Sequence, residues 1–596
     1  LRPGISRART FSLLSAQIAT GRQMTITTTD RARQFWPRGL ATFVDFASVS
    51  HARAAALLVV LSLLAFLPGF FQIPPVDRDE ARFAQATKQM VETGDYIDIR
   101  FQNDVRYKKP VGIYWLQAAM VKAAGALGLA EAPRIIWLYR IPSLIGAVGA
   151  VLLTYWTALA FVSRRAAILA GIMLATSILL GVEARLAKTD AMLLLTIVAA
   201  MGAMGRIYLG FGGSRREPRR HWILPAIFWT ALAGGVLLKG PLIIMIVGLT
   251  AAALVVVDRS ARWLADLRPV AGLIWLAVLV LPWFWAIFAR AGSGFFVDSI
   301  GVDMLSKVVS SQESHGAPPG FFLVLFFATF WPASILSGLA APAIWRDRRD
   351  ARIKFLLAWA VPSWIAFELA ITKLPHYVLP LYPAIAILIA GRLHPLDLSR
   401  HPWLERGSLW WFIAPLIVGI GALVAVIKIA GEPAFLAWPF AAAALIFGFR
   451  AWWLYDADGP ERSLLRASAA SILLAIAIYG VVIPSLTRVF PSAMLADVIR
   501  ESGCDNPVAA SAGYHEPSLV FLLGTPTQLT DGSGAADFLH RGACRFALVE
   551  ARHERSFAQR AAAIGLRYAR GPRIDGINIS GGRELAIAVF RSESRP

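Results

Sequence analysis

From Ala54 to Pro484 the chain repeats one pattern, in which stretches of mostly apolar residues are broken by short charged or Pro/Gly-bearing punctuation. Each stretch is about 17–25 residues, enough to cross a hydrocarbon layer of roughly 30 Å as a helix. They fall at 54–73, 135–162, 166–182, 190–209, 222–238, 241–257, 270–290, 321–343, 355–371, 377–391, 408–429, 435–455 and 467–484. The expected fold is an α-helical polytopic membrane protein of about 13 transmembrane helices. After Ser485 the pattern changes. Short apolar runs such as VAASA and CRFALVEA alternate with helical stretches such as SFAQRAAAIG and end in the strand-like ELAIAVF, predicting a small α/β domain over 485–596. Residues 1–53 are expected to be an N-terminal cytoplasmic segment, partly disordered, with Met24 a candidate start.

Charge orients these spans. Arginine-rich clusters lie before the first span (Arg31, Arg33, Arg38, Arg53), at Arg164/Arg165, and over 215–220, 259–268, 346–354, 392–406 and 450–466. An odd number of spans puts every cluster on one side, which the positive-inside rule makes cytoplasmic. The loops at 74–134, 183–189, 239–240, 291–320 and 372–376, and everything after 485, then face outward, into a bacterial periplasm. The net charge of +21 is therefore explained by topology, and no nucleic-acid partner is implied. A content of 57% hydrophobic and 16% charged residues excludes an ordinary soluble enzyme. Cys504 and Cys544 both fall in the outward tail, where a disulfide and two free thiols are equally compatible with the sequence.

Candidate chemistry concentrates in the outward loops. Ala81, Phe83, Ala84, Thr87 and Met90 recur at helical spacing, and Pro110 to Ala124 forms a second apolar helical stretch, so both are expected to lie along the membrane surface. Asp77, Asp79, Glu80 and Arg82 open the first of these helices. A carboxylate there can serve as general base with an arginine keeping it ionised, or simply cap the helix. Tyr107-Lys108-Lys109-Pro110 places two ammonium groups before a helix start, an arrangement suited to phosphate or to snorkelling lysines. Further ionisable groups stand at Glu183, Arg185, Lys188 and Asp190, at Lys239-Gly240-Pro241, and at Lys373, His376 and Tyr377, with Glu368 a structural partner for Lys373. Glu313 and His315 are weak metal candidates. Asp456 and Asp458 sit in a cytoplasmic loop as solvated acids. Many outward cations with few carboxylates fit an anionic ligand. Outside the membrane a transferase must draw on a lipid-carried donor, whose phosphate leaving group needs cations while the acceptor needs one base.

The segments DEARFAQATKQMVETGDY, YKKPVGIYW, ARLAKTDAMLLL, LLKGP, LPWFWA and TKLPHYVLPLYPAIAIL, in this order over roughly residues 55–390, resemble the lipid-A aminoarabinose transferases and protein O-mannosyltransferases, which share the type-C glycosyltransferase (GT-C) fold. The resemblance implies a 54–484 glycosyltransferase domain with a periplasmic loop at 74–134, in the bacterial inner membrane with its active site toward the periplasm. It implies transfer from a polyprenyl-phosphate-linked sugar to a lipid, glycan or protein acceptor. Candidate catalytic carboxylates are Asp79, Glu80 and Asp190. Arg82, Lys109, Lys239, Arg185 and Lys373 are candidates for the donor phosphate, and Asp77, Tyr107, Lys108, His376 and Tyr377 for the rest of the cavity. Where those aminoarabinose transferases carry a zinc-binding Glu, this chain has Lys108, so neither zinc at His315 nor an amino sugar follows; a divalent metal is left open and no other cofactor is implied. A transporter or flippase of a lipid-linked sugar is the alternative, and it predicts mid-span charges and repeat symmetry that the sequence lacks.

Overall fold

A computed structural model of the chain describes residues 37–210, 222–299, 316–393, 397–431, 434–579 and 581–593. The arginine cluster at 215–220, with Glu313 and His315, lies outside the described residues. Each predicted apolar stretch contains helix, but the stretches differ in reach. Among the described residues six helices are long and apolar enough to cross a membrane: Ile136–Ala158, Asp190–Gly210, Pro269–Ala291, Pro402–Ala430, Phe435–Trp453 and Tyr455–Ser485. A seventh span expected at 321–343 is broken into Phe321–Thr329 and Ser334–Arg346, bent by 118°. His51–Phe66, Ile223–Lys239, Leu242–Asp258 and Pro375–Ala390 are shorter apolar helices. The 166–182 stretch is also divided, into Arg164–Ala175 and Ile178–Glu183. The expected number of thirteen crossings is thus not reproduced by length and composition, because several stretches stop after four to five turns where glycine, proline or charge interrupts them.

Two glycines set the packing that matters for function. A side chain on Gly146 would put its Cβ 2.6 Å from the Met192 nitrogen, so helix Ile136–Ala158 crosses directly against the start of Asp190–Gly210. Gly112 makes the same close approach, 2.7 Å from the Leu237 carbonyl oxygen, and brings the segment after Tyr107-Lys108-Lys109 onto the end of helix Ile223–Lys239. On the opposite face Asp458, expected to be solvated, instead pairs with Arg466, and Lys354 pairs with Asp258 at 2.5 Å.

The first outward loop departs from its expected place. Helix Asp79–Thr93 does bury Ala81, Phe83, Ala84, Thr87 and Met90, but it also buries Gln85 and Lys88. It is held between helix Gly112–Ala126 and helix Pro517–Leu523 of the C-terminal domain, so almost every side of it is covered. The polar positions tolerate burial because each finds a partner: Lys88 Nζ donates to the Phe521 carbonyl at 2.8 Å, and Gln85 Nε2 to Thr525 Oγ1 at 2.8 Å.

The C-terminal domain is the expected α/β unit. Besides the small β1 (Arg100–Phe101) and β2 (Asp104–Val105) hairpin in the first loop, the strands are β3 (Val508–Ala512), β4 (Gln528–Thr530), β5 (Arg545–Glu550), β6 (Tyr568–Asn578) and β7 (Arg583–Ser592). They form one sheet in the order β4-β3-β5-β7-β6, parallel across β4-β3-β5 and antiparallel from β5 to β6. Two apolar clusters cover its faces, one around Leu495, Tyr514 and Leu548 and the other around Ala536, Phe557 and Phe590. Cys504 and Cys544 are joined as a disulfide across 40 residues, which decides between the two readings the sequence left open. Closing a loop of that length removes chain entropy worth about 4 kcal/mol. Replacing both cysteines by serine is expected to lower the unfolding temperature of the C-terminal domain without altering membrane insertion, measured by thermal proteolysis of the purified protein.

Candidate active site

The ionisable residues of the loop after helix Ile178–Glu183 meet those at the ends of two other helices. Helix Ile223–Lys239 stops at Gly240, whose φ of 68° suits glycine, and Pro241 starts the next turn. This leaves Lys239 at a helix C-terminus, where a cation is favoured. Its Nζ lies 2.5 Å from Asp190 Oδ1. Lys188 Nζ lies 3.1 Å from Glu183 Oε1 and 3.7 Å from Asp190 Oδ2. The His376 ring stands between the same carboxylates, Nδ1 3.9 Å from Glu183 and Nε2 3.7 Å from Asp190. The Lys239 ammonium also faces the Tyr377 ring, at 5.8 Å from its centre. Among the described residues Glu183 Oε2 is buried without a hydrogen-bond partner, which leaves an acceptor for a ligand hydroxyl.

The first outward loop reaches this cluster through Glu80. Its carboxylate pairs with Arg140 in two-fold fashion, Nε to Oε1 at 2.8 Å and Nη2 to Oε2 at 2.9 Å, with both side chains 1% exposed. The same oxygens accept from the N–H groups of Val76 at 2.8 Å and Ala187 at 2.9 Å. Arg140 turns its remaining donors onto the carbonyls of Phe70, Ile73 and Pro74. Asp79, one residue earlier, is exposed at the helix N-terminus, and Arg82 follows one turn later, half-buried. The electrostatics link the parts. Burial opposes the charge of Lys188, yet Glu183, Asp190 and Asp79 together hold its pKa above the ordinary lysine value. The charge of Lys109 is felt in turn at His376.

Asp79, Lys109, Asp190, Lys239, His376 and Tyr377 are therefore gathered at one place, joined by Glu183 and Lys188. Other expected members are not free to act. Glu80 is a fully hydrogen-bonded anchor and no catalytic acid or base. Arg185, expected on the donor phosphate, is buried and donates to the carbonyls of Pro68 (2.8 Å), Gly181 and Ala65, with its guanidinium 4.0 Å over the Tyr479 ring. Lys373 is likewise buried and donates to the carbonyls of Glu368 and Ala370 at 2.7 Å each, beside the Glu368 carboxylate. Both cations serve carbonyls that helix ends leave without partners in an apolar medium. Tyr107 lines no open cavity: its hydroxyl donates to Asp98 at 2.8 Å, and burial together with the Asp98 charge pushes it up to about 12. Asp77 faces the C-terminal domain. Lys108 is exposed. Arg140 was missed because it lies inside an apolar span, where its isolation was itself the signal.

Glu183, Asp190 and His376 offer ligand atoms within 4.8 Å of one another, the spacing of a loose metal site. The donor set nevertheless does not fit a divalent cation, because the Lys239 and Lys188 ammonium groups already stand against the carboxylates that would bind it. The arrangement is a balanced ion-pair network with a surplus of positive charge toward Lys109.

Known proteins agree with this architecture. Residues 56–293 match the family described as dolichyl-phosphate-mannose-protein mannosyltransferase. An undecaprenyl phosphate-alpha-4-amino-4-deoxy-L-arabinose arabinosyl transferase of Edwardsiella ictaluri is 28% identical over 442 residues, 72% of this chain and 76% of the relative. A protein of the same description from Erwinia tasmaniensis is 28% identical over 52% of this chain, and there the match spans only 54% of the relative. The crystal structure of ArnT from Cupriavidus metallidurans bound to undecaprenyl phosphate superposes with a TM-score of 0.68 at 18% identity, covering 89% of this chain and 97% of that one. The chain has the GT-C fold of that structure. The likeness runs to transferases and not to a transporter, and the C-terminal α/β domain packs against helix Asp79–Thr93.

A pH dependence follows for the contact between these two parts of the glycosyltransferase. Burial pushes the Asp77 carboxyl from 3.8 up to about 6, opposed by bonds from Ser518 and reinforced by the nearby Glu516. The folded chain holds this proton where the unfolded chain has lost it, so stability declines as pH rises from about 4 to 6 and levels off above. The difference is about 3 kcal/mol. Asp77→Asn is expected to abolish this component, seen as a flatter unfolding temperature between pH 4 and 7 relative to the unsubstituted protein.

Proposed function

We propose that this glycosyltransferase moves a sugar from a polyprenyl phosphate carrier to a hydroxyl of a lipid, glycan or protein acceptor at the periplasmic face of the bacterial inner membrane. The observation that carries the reading is the placement of one exposed carboxylate, Asp79, beside the Glu80 that takes the Ala187 N–H, which brings it next to the loop of the Lys188, Asp190 and Lys239 ion pairs. Asp79 takes the proton of the acceptor hydroxyl as its oxygen bonds to the anomeric carbon. The bond from that carbon to the phosphate oxygen breaks, and its electron pair leaves on the lipid phosphate. The transition state gathers negative charge on that leaving group, which Lys109 and Lys239 stabilise more strongly than they do the ground state. Asp190 holds Lys239 in place through their ion pair, and Arg82 lies on the same helix face as Asp79. Attack opposite the departing phosphate inverts the anomeric centre.

The carbohydrate of the donor is the finer part of the proposal. The curated relatives are named for an amino sugar. Here most carboxylates near the loops are already paired: Glu80 with Arg140, Asp190 with Lys239, Asp98 with Tyr107 and Arg100, Asp95 with Arg290, and Glu183 with Lys188 through one of its two oxygens. With Lys108 exposed beside Lys109, a sugar without an ammonium group is favoured.

Asp79→Asn is expected to reduce transfer from a polyprenyl-phosphate sugar at least 10³-fold while the protein inserts and unfolds normally; full activity would sink the mechanism. Lys109→Ala and Lys239→Ala are expected to weaken donor binding about 10-fold or more, as charge-assisted contacts to phosphate do. Paired assays with neutral-sugar and amino-sugar polyprenyl phosphates test the donor: a preference for the amino sugar would overturn that part alone.

A further inference from the structure

The contact between the first outward loop and the C-terminal domain lies two residues from the proposed base. Asp77 Oδ1 accepts from the Ser518 N–H at 3.1 Å, across 441 residues of sequence. Behind it, Ser518 Oγ donates to Ser492 Oγ at 2.6 Å, and the Tyr514 hydroxyl lies 2.9 Å from the same Ser492 oxygen. The grip is therefore rooted in the domain interior. It extends along helix Asp79–Thr93 through Gln85 to Thr525, Lys88 to Phe521, and Thr525 Oγ1 to Glu92 at 2.6 Å. Gln102 adds bonds to the carbonyls of Thr525 at 3.0 Å and Thr527 at 2.5 Å.

Between the held Asp77 and the anchored Glu80 the backbone is strained. Arg78 sits at φ 67°, ψ −107°, a conformation that costs a non-glycine residue about 1–3 kcal/mol and persists only when its surroundings impose it. The surroundings here are two fixed points from different parts of the molecule: Glu80 on Arg140 of the helical bundle, and Asp77 on Ser518 of the C-terminal domain. Asp79 lies between them, exposed at the N-terminus of the helix that both points hold. We propose that the C-terminal domain is a working part of the transferase, and that by holding Asp77 it sets where the Asp79 carboxylate stands over the acceptor. Asp77 is then a positioning residue and the domain more than a cover. This rests on the reading of Asp79 as the base.

The magnitude is set by geometry. A base displaced by about 1 Å loses on the order of 10²-fold in rate, whereas donor binding depends on Lys109 and Lys239, which the contact does not touch. The test uses the full-length protein in detergent or bilayer, assayed for transfer from a polyprenyl-phosphate sugar. Asp77→Ala is expected to lower kcat 10- to 100-fold with donor KM within twofold. Asp77→Asn keeps an oxygen that accepts the Ser518 N–H and is expected to restore most of kcat. A second variant, Gln85→Ala with Lys88→Met, loosens the same contact without altering residues 76–80 and is expected to lower kcat severalfold; it carries the test if Asp77→Ala does not fold. An unchanged kcat in both Asp77→Ala and the double variant, with Asp79→Asn inactive, would overturn the positioning role while leaving the base assignment standing. Full activity in Asp79→Asn would remove the base assignment itself. A fall in folded yield with kcat per folded molecule intact would mark the contact as structural only and overturn the proposal.

Discussion

The Glu80–Arg140 pair is the constraint on which the site depends. A carboxylate and a guanidinium buried to this degree lose hydration worth several kcal/mol each, and they are tolerated only when every donor and acceptor is matched. They are matched here: Glu80 takes two backbone N–H groups besides the arginine, and Arg140 supplies three carbonyls besides the carboxylate. Those partners belong to the end of the first helix, the first outward loop, the Ile136–Ala158 helix and the loop before Asp190. One ion pair therefore ties together four segments, and it brings the exposed Asp79 toward the lysines of the other loops.

The distribution of cations shows how an apolar bundle divides its charges. Arg185 and Lys373 resemble Lys109 and Lys239 in sequence, all being cations at the ends of apolar stretches. Their surroundings separate them. Arg185 and Lys373 stand beside carbonyls at helix ends and are consumed there, because an unpaired carbonyl away from water costs more than a shared cation. Lys239 and Lys188 instead meet the carboxylates of Asp190 and Glu183.

Much of the fold was legible because the bilayer imposes a strict pattern. Apolar stretches, arginine-rich turns on one side and the change of periodicity near Ser485 all act through local composition, and helices and the α/β domain follow. The ordered motifs from Asp79 to Tyr377 contain Lys188, Asp190 and Lys239, which the structure pairs with one another. Less was legible where two distant segments compete for one group. The amphipathic pattern of residues 79–93 reads as a surface helix, since nothing local announces that Pro517–Leu523 will cover its polar side. Glu80 reads as an acid equal to Asp79 until Arg140 is placed beside it. Tyr107 reads as a cavity residue until Asp98 takes its hydroxyl.

By itself the sequence determined the architecture: a bundle of apolar helices followed by a small α/β domain, because hydrophobic length and periodicity act residue by residue along the chain. Which carboxylate is exposed and which is an anchor, which lysines face an anion and which hold helix ends, and where the final domain rests were decided only by the tertiary structure. The physical reason is that an ionisable group in a medium of low polarity takes its role from whichever partner lies within about 3 Å. Those partners, such as Arg140 for Glu80 and Ser518 for Asp77, lie tens to hundreds of residues away in sequence.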